Sequence, residues 1–321
     1  MFGSEAHVKS PRAVGIACAL LATLLGLLYL HAAGAPTTYL IVNALSLAMG
    51  LALFVVIPQK MRDTGAANGV VLALGIMLLA TAMSGLSAEG ASRWVRVGGA
   101  SLQTSLIVLP AMLVVFARSG GFFATSGVVL AAVALALQPD RAMAGVMTAA
   151  LAALVPFRRE RQVVLALTVA ASGFAVTLLR PDALPAVPYV DRILYTSFEV
   201  QHFAGIAVVA GALLLIVPAL VGLRTDSSNR AAHVVFGLTW LGIVVAAALG
   251  NYPTPVVGYG GSAILGYALS LSFMPSKATS TAATEARSQD AARVGPTGSA
   301  NLRVRVELVT LGRPTTDVCC D

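Results

Sequence analysis

Apolar runs long enough to cross a bilayer recur from Ala13 almost to Met274, and no other feature limits the fold so tightly. About 20 residues at about 1.5 Å per residue match a hydrocarbon core of about 30 Å. In that medium each backbone N–H and C=O needs a partner within its own segment, so runs of this kind are helices. Ten are drawn, at 13–32, 38–57, 68–86, 105–118, 121–138, 141–156, 162–180, 203–223, 231–250 and 255–274. The fourth and sixth are short for the bilayer, which predicts tilt, interruption or extension by their flanks. Composition agrees: 57% of residues are hydrophobic and 11% charged, with mean hydropathy +0.84, against about 25% charged in soluble domains. The expected fold class is all-α, a polytopic membrane helical bundle of about ten transmembrane helices.

Orientation follows from where the basic residues fall, because Lys and Arg in short loops stay cytoplasmic. With the N-terminus inside, the cytoplasmic loops collect Lys9, Arg12, Lys60, Arg62, Arg118, Arg158, Arg159, Arg161, Arg224, Arg230 and Lys277. The outer loops collect Arg93, Arg96, Arg141, Arg180 and Arg192. Eleven against five predicts both termini in the cytoplasm and an even number of spans. The same bias reads the net charge of +7 as topological rather than as a nucleic-acid footprint. Ala33-Gly34-Ala35 mimics a signal-peptidase site, but the run before it is longer than an ordinary leader core and reads as a retained helix. The expected organisation is a cytoplasmic N-terminus over 1–12, a membrane domain over 13–274 and a disordered cytoplasmic tail over 275–321, rich in Ser, Thr, Ala and Gly. Three cysteines, Cys18, Cys319 and Cys320, exclude a disulfide framework.

Four polar clusters interrupt the apolar background, all on the predicted outer side. The first runs from Gly90 to Ser105 and holds Arg93, Trp94 and Arg96, which fit an interfacial helix. Trp and Arg are at home as interface anchors, and Arg also forks onto phosphate oxygens. The second is Leu137-Gln-Pro-Asp140, where a helix ends at Pro139 and Asp140 is placed to cap or to pair with Arg141. The third gathers Asp191, Glu199 and His202 near the start of the eighth span. Glu199 and His202, three apart, share a face on a helix, but two ligands are too few for a metal. The fourth, Gly250 to Ser262, contains Pro253, Pro255, Gly260 and Gly261, which cannot continue a helix without interruption. Irregular backbone at membrane depth is tolerated only where it is buried in protein or lines a cavity, so this cluster points to a cavity.

In this order the clusters resemble the SEDS family (shape, elongation, division and sporulation; the FtsW/RodA/SpoVE group). Arg93-Trp94 through Gly98 to Gln103 and Ser105 looks like the family's R-W…G…F-Q-P-S-E segment, and Leu137-Gln-Pro-Asp140 matches its L-Q-P-D. Asp191, Ile193, Glu199 and Gly205 fall without a gap on the Asp, Ile, first Glu and last Gly of its D-F-I-F-x-x-x-x-E-E-x-G-x-x-G stretch. Pro253, Pro255, Tyr259, Gly260, Gly261 and Ser262 match P-L-P-F-x-S-Y-G-G-S. The chain departs where the family has Q-P-S-E-x-x-K: Gln103-Thr-Ser is followed by apolar residues from Leu106 through Val108. It also lacks the long Gly-rich loop before Asp191, keeping only about Arg180 to Val190, and the L-P-V-T-G stretch before Pro253.

The resemblance implies a glycosyltransferase that polymerises peptidoglycan strands from lipid II in cell division or cell-shape maintenance. It implies a bacterial inner membrane, a periplasmic active face and a class B penicillin-binding protein as partner. Asp191 is then the catalytic carboxylate. Arg93, Trp94, Arg96, Gln103, Ser105, Asp140, Glu199, Pro253, Pro255, Tyr259, Gly260, Gly261 and Ser262 are the substrate-binding candidates, with Mg²⁺ or Mn²⁺ as cofactor. A catalytically silent scaffold of a wall-synthesis complex fits the same helices, as does a lipid-linked-sugar flippase. Few polar residues lie on the cytoplasmic half of the spans, which argues against transport.

Overall fold

The computed structural model describes residues 10–57, 64–84, 86–88, 91–97, 100–180 and 185–275. The expectations for residues 1–9, for most of the tail and for Gly90, Gly98, Lys60, Arg62 and Lys277 lie outside them. Helices occupy the predicted runs: α1 (Pro11–Ala32), α2 (Thr37–Val56), α3 (Thr64–Ser84), α4 (Thr104–Arg118), α5 (Phe122–Leu137), α6 (Arg141–Leu154) and α7 (Arg161–Leu178). After them come α8 (Ile193–Val200), which lies between the seventh and eighth runs, α9 (His202–Leu214), α10 (Val217–Thr225), α11 (Arg230–Leu249) and α12 (Gly261–Phe273), which begins inside the tenth run rather than at its start. The protein is a multi-pass helical membrane protein, as the apolar runs predict.

Two features were not anticipated. Between α3 and α4 the chain forms a three-stranded antiparallel sheet, β1 (Leu86–Ala88), β2 (Ala91–Val97) and β3 (Ala100–Gln103), so Arg93, Trp94 and Arg96 sit on a strand and not on an interfacial helix. The eighth run is two helices, α9 and α10, parted at Leu215–Ile216 just before Pro218, which has no N–H for the helical ladder. The hydroxyl of Tyr267, fully buried on α12, donates to the Leu215 carbonyl at 3.2 Å and satisfies the break from a neighbouring helix.

Among the described residues six spans are long and apolar enough to cross a bilayer; α4, α5, α6 and α12 are shorter. Burial accounts for two of these four. In α4, 13 of 15 residues are buried, and in α12, 12 of 13, so these two form the centre and other helices, not lipid, surround them. They meet closely: a Cβ on Gly266 would lie 2.1 Å from the Leu106 carbonyl oxygen. Gly75 of α3 and Gly127 of α5 bring two further backbones together in the same manner. Small residues permit such approach where no hydrophobic force drives helices together.

Besides the Tyr267 bond, two groups of inter-helix hydrogen bonds lie at the ends of the bundle. At one end, arginines bond the terminal carbonyls of helices: Arg12 to Met274, Arg118 to Phe273 at 2.7 Å, and Arg158 to Phe116 at 2.6 Å. Guanidinium groups there answer both the unpaired carbonyls and the negative end of the helix dipole. All four polar clusters lie at the other end.

Candidate functional site

The sheet supplies one wall of the site. Its second hairpin pairs Val97 with Ala100, and the sequence between them, Gly-Gly, has the length and composition that favour tight hairpins. Strand residues two apart share a face, so the pairs Trp94–Gln103 and Arg96–Ser101 put four polar or aromatic side chains on one side. All four border a cavity of about 610 Å³.

Asp191 stands on the facing wall. Its backbone N–H donates to Val187 O at 2.9 Å, and Val187 N–H donates back to Asp191 Oδ2 at 2.8 Å, so the carboxylate closes its own turn. Tyr189 and Arg192, at φ 63° and 60°, set the left-handed corners of this loop. A lone antiparallel bridge joins Asp191 to Pro253, and Thr254 N–H donates to Val190 O at 2.9 Å. The third and fourth polar clusters are thus bonded through their backbones. Asp191 is 8% exposed. Burial pushes its carboxyl above the ordinary carboxylate value, and the Val187 N–H draws it partly back. Among the described residues no protein donor reaches its other oxygen, and it is the one carboxylate on the cavity wall.

The two arginines have different surroundings. Arg93 borders the cavity but is 3% exposed, and its guanidinium donates to the Gln138 and Pro139 carbonyls at the end of α5. Arg96, on the opposite strand face, is exposed and lines the cavity.

Beneath the sheet wall lies a buried polar hub. Asp140 caps α6 through Met143 N–H at 3.2 Å and accepts from Ser105 Oγ at 2.8 Å and Gln103 Nε2 at 3.1 Å. Gln103 N–H donates to Ser262 Oγ at 2.9 Å, tying the sheet to the start of α12. Asp140 therefore caps its helix, as its place after Pro139 suggests, and it also holds the wall.

The structure brings Arg93, Trp94, Arg96, Gln103, Asp191, Pro253, Tyr259, Gly260, Gly261 and Ser262 to one cavity. Ser105 and Asp140 lie behind it, and Pro255 is buried in the loop without reaching the lining. Glu199 is exposed on α8, away from the cavity. Its spacing to His202 does not give a shared helix face, because Gln201 is extended (φ −162°) and separates α8 from α9. Among the described residues no three His, Cys, Asp or Glu gather as a metal site.

Sequence reasoning missed Ser101, Asn251 and Tyr252 on the lining and Asn43 behind it. For Ser101 the signal was available, in the two-residue alternation either side of Gly98-Gly99.

No protein-family model matches the sequence, and no curated protein does. Solved structures do. The crystal structure of the Thermus thermophilus rod-shape-determining protein RodA matches with a TM-score of 0.57 at 20% identity, covering 80% of this chain and 93% of that one. A variant of the same protein with one aspartate replaced by alanine gives 0.57 at 18% identity, covering 80% and 94%. The resemblance carried by the four motifs thus extends to the fold, which is that of RodA.

Proposed function

We propose that the chain is a divergent, shortened SEDS protein that polymerises peptidoglycan glycan strands from lipid II in cell division or cell-shape maintenance. The observation that carries this reading is Asp191, a buried carboxylate with raised proton affinity on a cavity whose opposite wall offers Arg96. The fold and four ordered motifs supply the family context. In this reading one Asp191 oxygen takes the proton from an acceptor sugar hydroxyl as the hydroxyl oxygen attacks the donor's anomeric carbon. The bond from that carbon to the lipid pyrophosphate breaks, and the leaving group departs with the bonding pair. A carboxylate with a raised pKa is the better base, and such help is worth about two to four decades in rate. Arg96 neutralises charge on the departing pyrophosphate. Arg93 serves chiefly to fix β2 on the end of α5.

Among the described residues one carboxylate lines the cavity, which does not build a metal centre by itself. Mg²⁺ or Mn²⁺ would be supplied with the substrate's phosphate oxygens and would offset their charge. The bacterial inner membrane, the periplasmic orientation of the site and a class B penicillin-binding partner belong to the same proposal.

One observation favours a second reading, a catalytically silent scaffold. Leu106, buried at 3% exposure, borders the cavity at the position of the family's Glu. Complementation of a strain depleted of the protein separates the two. The polymerase reading expects Asp191→Asn to accumulate normally and fail to restore growth or shape; full restoration would leave the scaffold.

A further inference from the structure

Of the 20 residues in α2, only Asn43, Ser46 and Gly50 are buried, the least of any long span. Asn43 is completely shielded, and an amide inside an apolar span is stable only when its groups are bonded. Its partners are both in the loop that leads into α12. Asn43 Nδ2 donates to Gly258 O at 2.8 Å, and Gly260 N–H donates to Asn43 Oδ1 at 3.2 Å. One turn above, the Tyr39 ring stacks on Tyr259 with centroids 3.8 Å apart and an interplanar angle of 14°. One turn below, Ser46 Oγ would lie 2.4 Å from a Cβ on Gly261.

The loop needs an outside restraint. Val256, β-branched and buried, is held at φ 68°, which such a residue adopts only when its surroundings impose it. Tyr259, Gly260, Gly261 and Ser262 of this loop and helix start all face the cavity, while Asn43 does not.

We propose that Asn43 is a positioning residue: through its paired hydrogen bonds to Gly258 and Gly260 it sets the placement of the Tyr259–Ser262 rim against Asp191. Rim and carboxylate are already joined through Tyr259 N–H to Tyr189 O at 2.7 Å, so a displaced rim shifts the Asp191 turn as well. The activity arm of the test rests on the polymerase reading; the structural arm does not.

The test is hydrogen exchange across 254–262 in the full-length chain in lipid nanodiscs, with lipid II polymerisation measured in parallel. Asn43→Leu removes both bonds, and the segment should exchange about 10- to 100-fold faster than wild type while α4 and α11 stay protected. Asn43→Asp gives a readout that a merely packed residue would not. Its protonated form reproduces the donor and acceptor of Asn, whereas its carboxylate repels the Gly258 carbonyl. The titratable groups around it are the phenols of Tyr39, Tyr189 and Tyr259. Relative to wild type at each pH, the variant should keep protection and activity in acid and lose both as pH rises. If Asn43→Leu leaves the segment's protection at the wild-type level, or the Asn43→Asp ratio does not change with pH, the inference is overturned. Should either variant fail to fold, Asn43→Ser, whose shorter side chain cannot span both bonds, must loosen the same segment; unchanged protection there is equally fatal. A loosened loop in a wild type that makes no polymer keeps the positioning role and refutes the polymerase reading. Equal polymerisation by wild type and Asn43→Leu does the reverse.

Discussion

Replacing Asp140 by Ala removes the centre of the hub behind the cavity wall. Asp140 is fully buried and accepts three hydrogen bonds, from Met143 N–H, Ser105 Oγ and Gln103 Nε2. Loss of an N-cap costs about 1 kcal/mol. Each buried donor left without its acceptor costs about 1–2 kcal/mol, and Ser105 and Gln103 are both buried. Gln103 Nε2 retains its second contact, to Ser105 Oγ at 3.2 Å, so its share lies at the low end. The sum is about 3–5 kcal/mol, and at about 2–3 °C per kcal/mol the melting temperature should fall by about 6–15 °C. Thermal unfolding of the purified protein, followed through tryptophan fluorescence, reads this directly, because Trp94 pairs with Gln103 across the hairpin. Asp140→Asn keeps an acceptor for the cap and should lose less than half as much. A melting temperature for Asp140→Ala within a degree or two of wild type would refute the hub.

The arginines should separate by phenotype: Arg93→Gln lowers thermal stability by breaking the contacts to the α5 end, while Arg96→Gln keeps stability and weakens binding of a polyprenyl pyrophosphate at least tenfold. Arg93→Lys, which keeps the charge but not the fork, should fall between wild type and Arg93→Gln in melting temperature. Tyr267→Phe strands the Leu215 carbonyl at the α9–α10 break and should cost about 1–3 kcal/mol in the same unfolding assay. Asp191→Asn tests the sign of the carboxyl's raised proton affinity. A group that holds its proton more tightly when folded stabilises the protein in acid, and that contribution is lost as pH rises through the folded value. The Asn variant should therefore be at least as stable as wild type near neutrality, with its advantage shrinking in acid; a variant clearly less stable at neutral pH contradicts the assignment.

The spans were legible because the bilayer permits one solution for an apolar run of that length. The cavity was legible from Pro253, Pro255, Gly260 and Gly261, whose backbones cannot sustain a helix. The sheet was not, since a short alternating segment around Arg93 and Arg96 reads equally well as an amphipathic helix in a chain that is otherwise helical. Only the Gly98-Gly99 pair marked the difference. The shortness of α4 and α6 was visible and that of α12 was not; the burial of α4 and α12 among other helices is a tertiary fact. Asn43 gave no signal, because a single amide in an apolar run has no spacing from which a partner 215 residues away follows. The separate duties of Arg93 and Arg96 likewise depend on strand faces, which are settled only once the hairpin is known.

The most direct measurement is polymerisation of lipid II by the purified protein, with Mg²⁺ or Mn²⁺ and a class B penicillin-binding partner, comparing wild type with Asp191→Asn. The polymerase account predicts glycan strands from wild type and a loss of at least about a hundredfold in the variant, which remains folded. No polymer from wild type, or equal polymer from both, would contradict it.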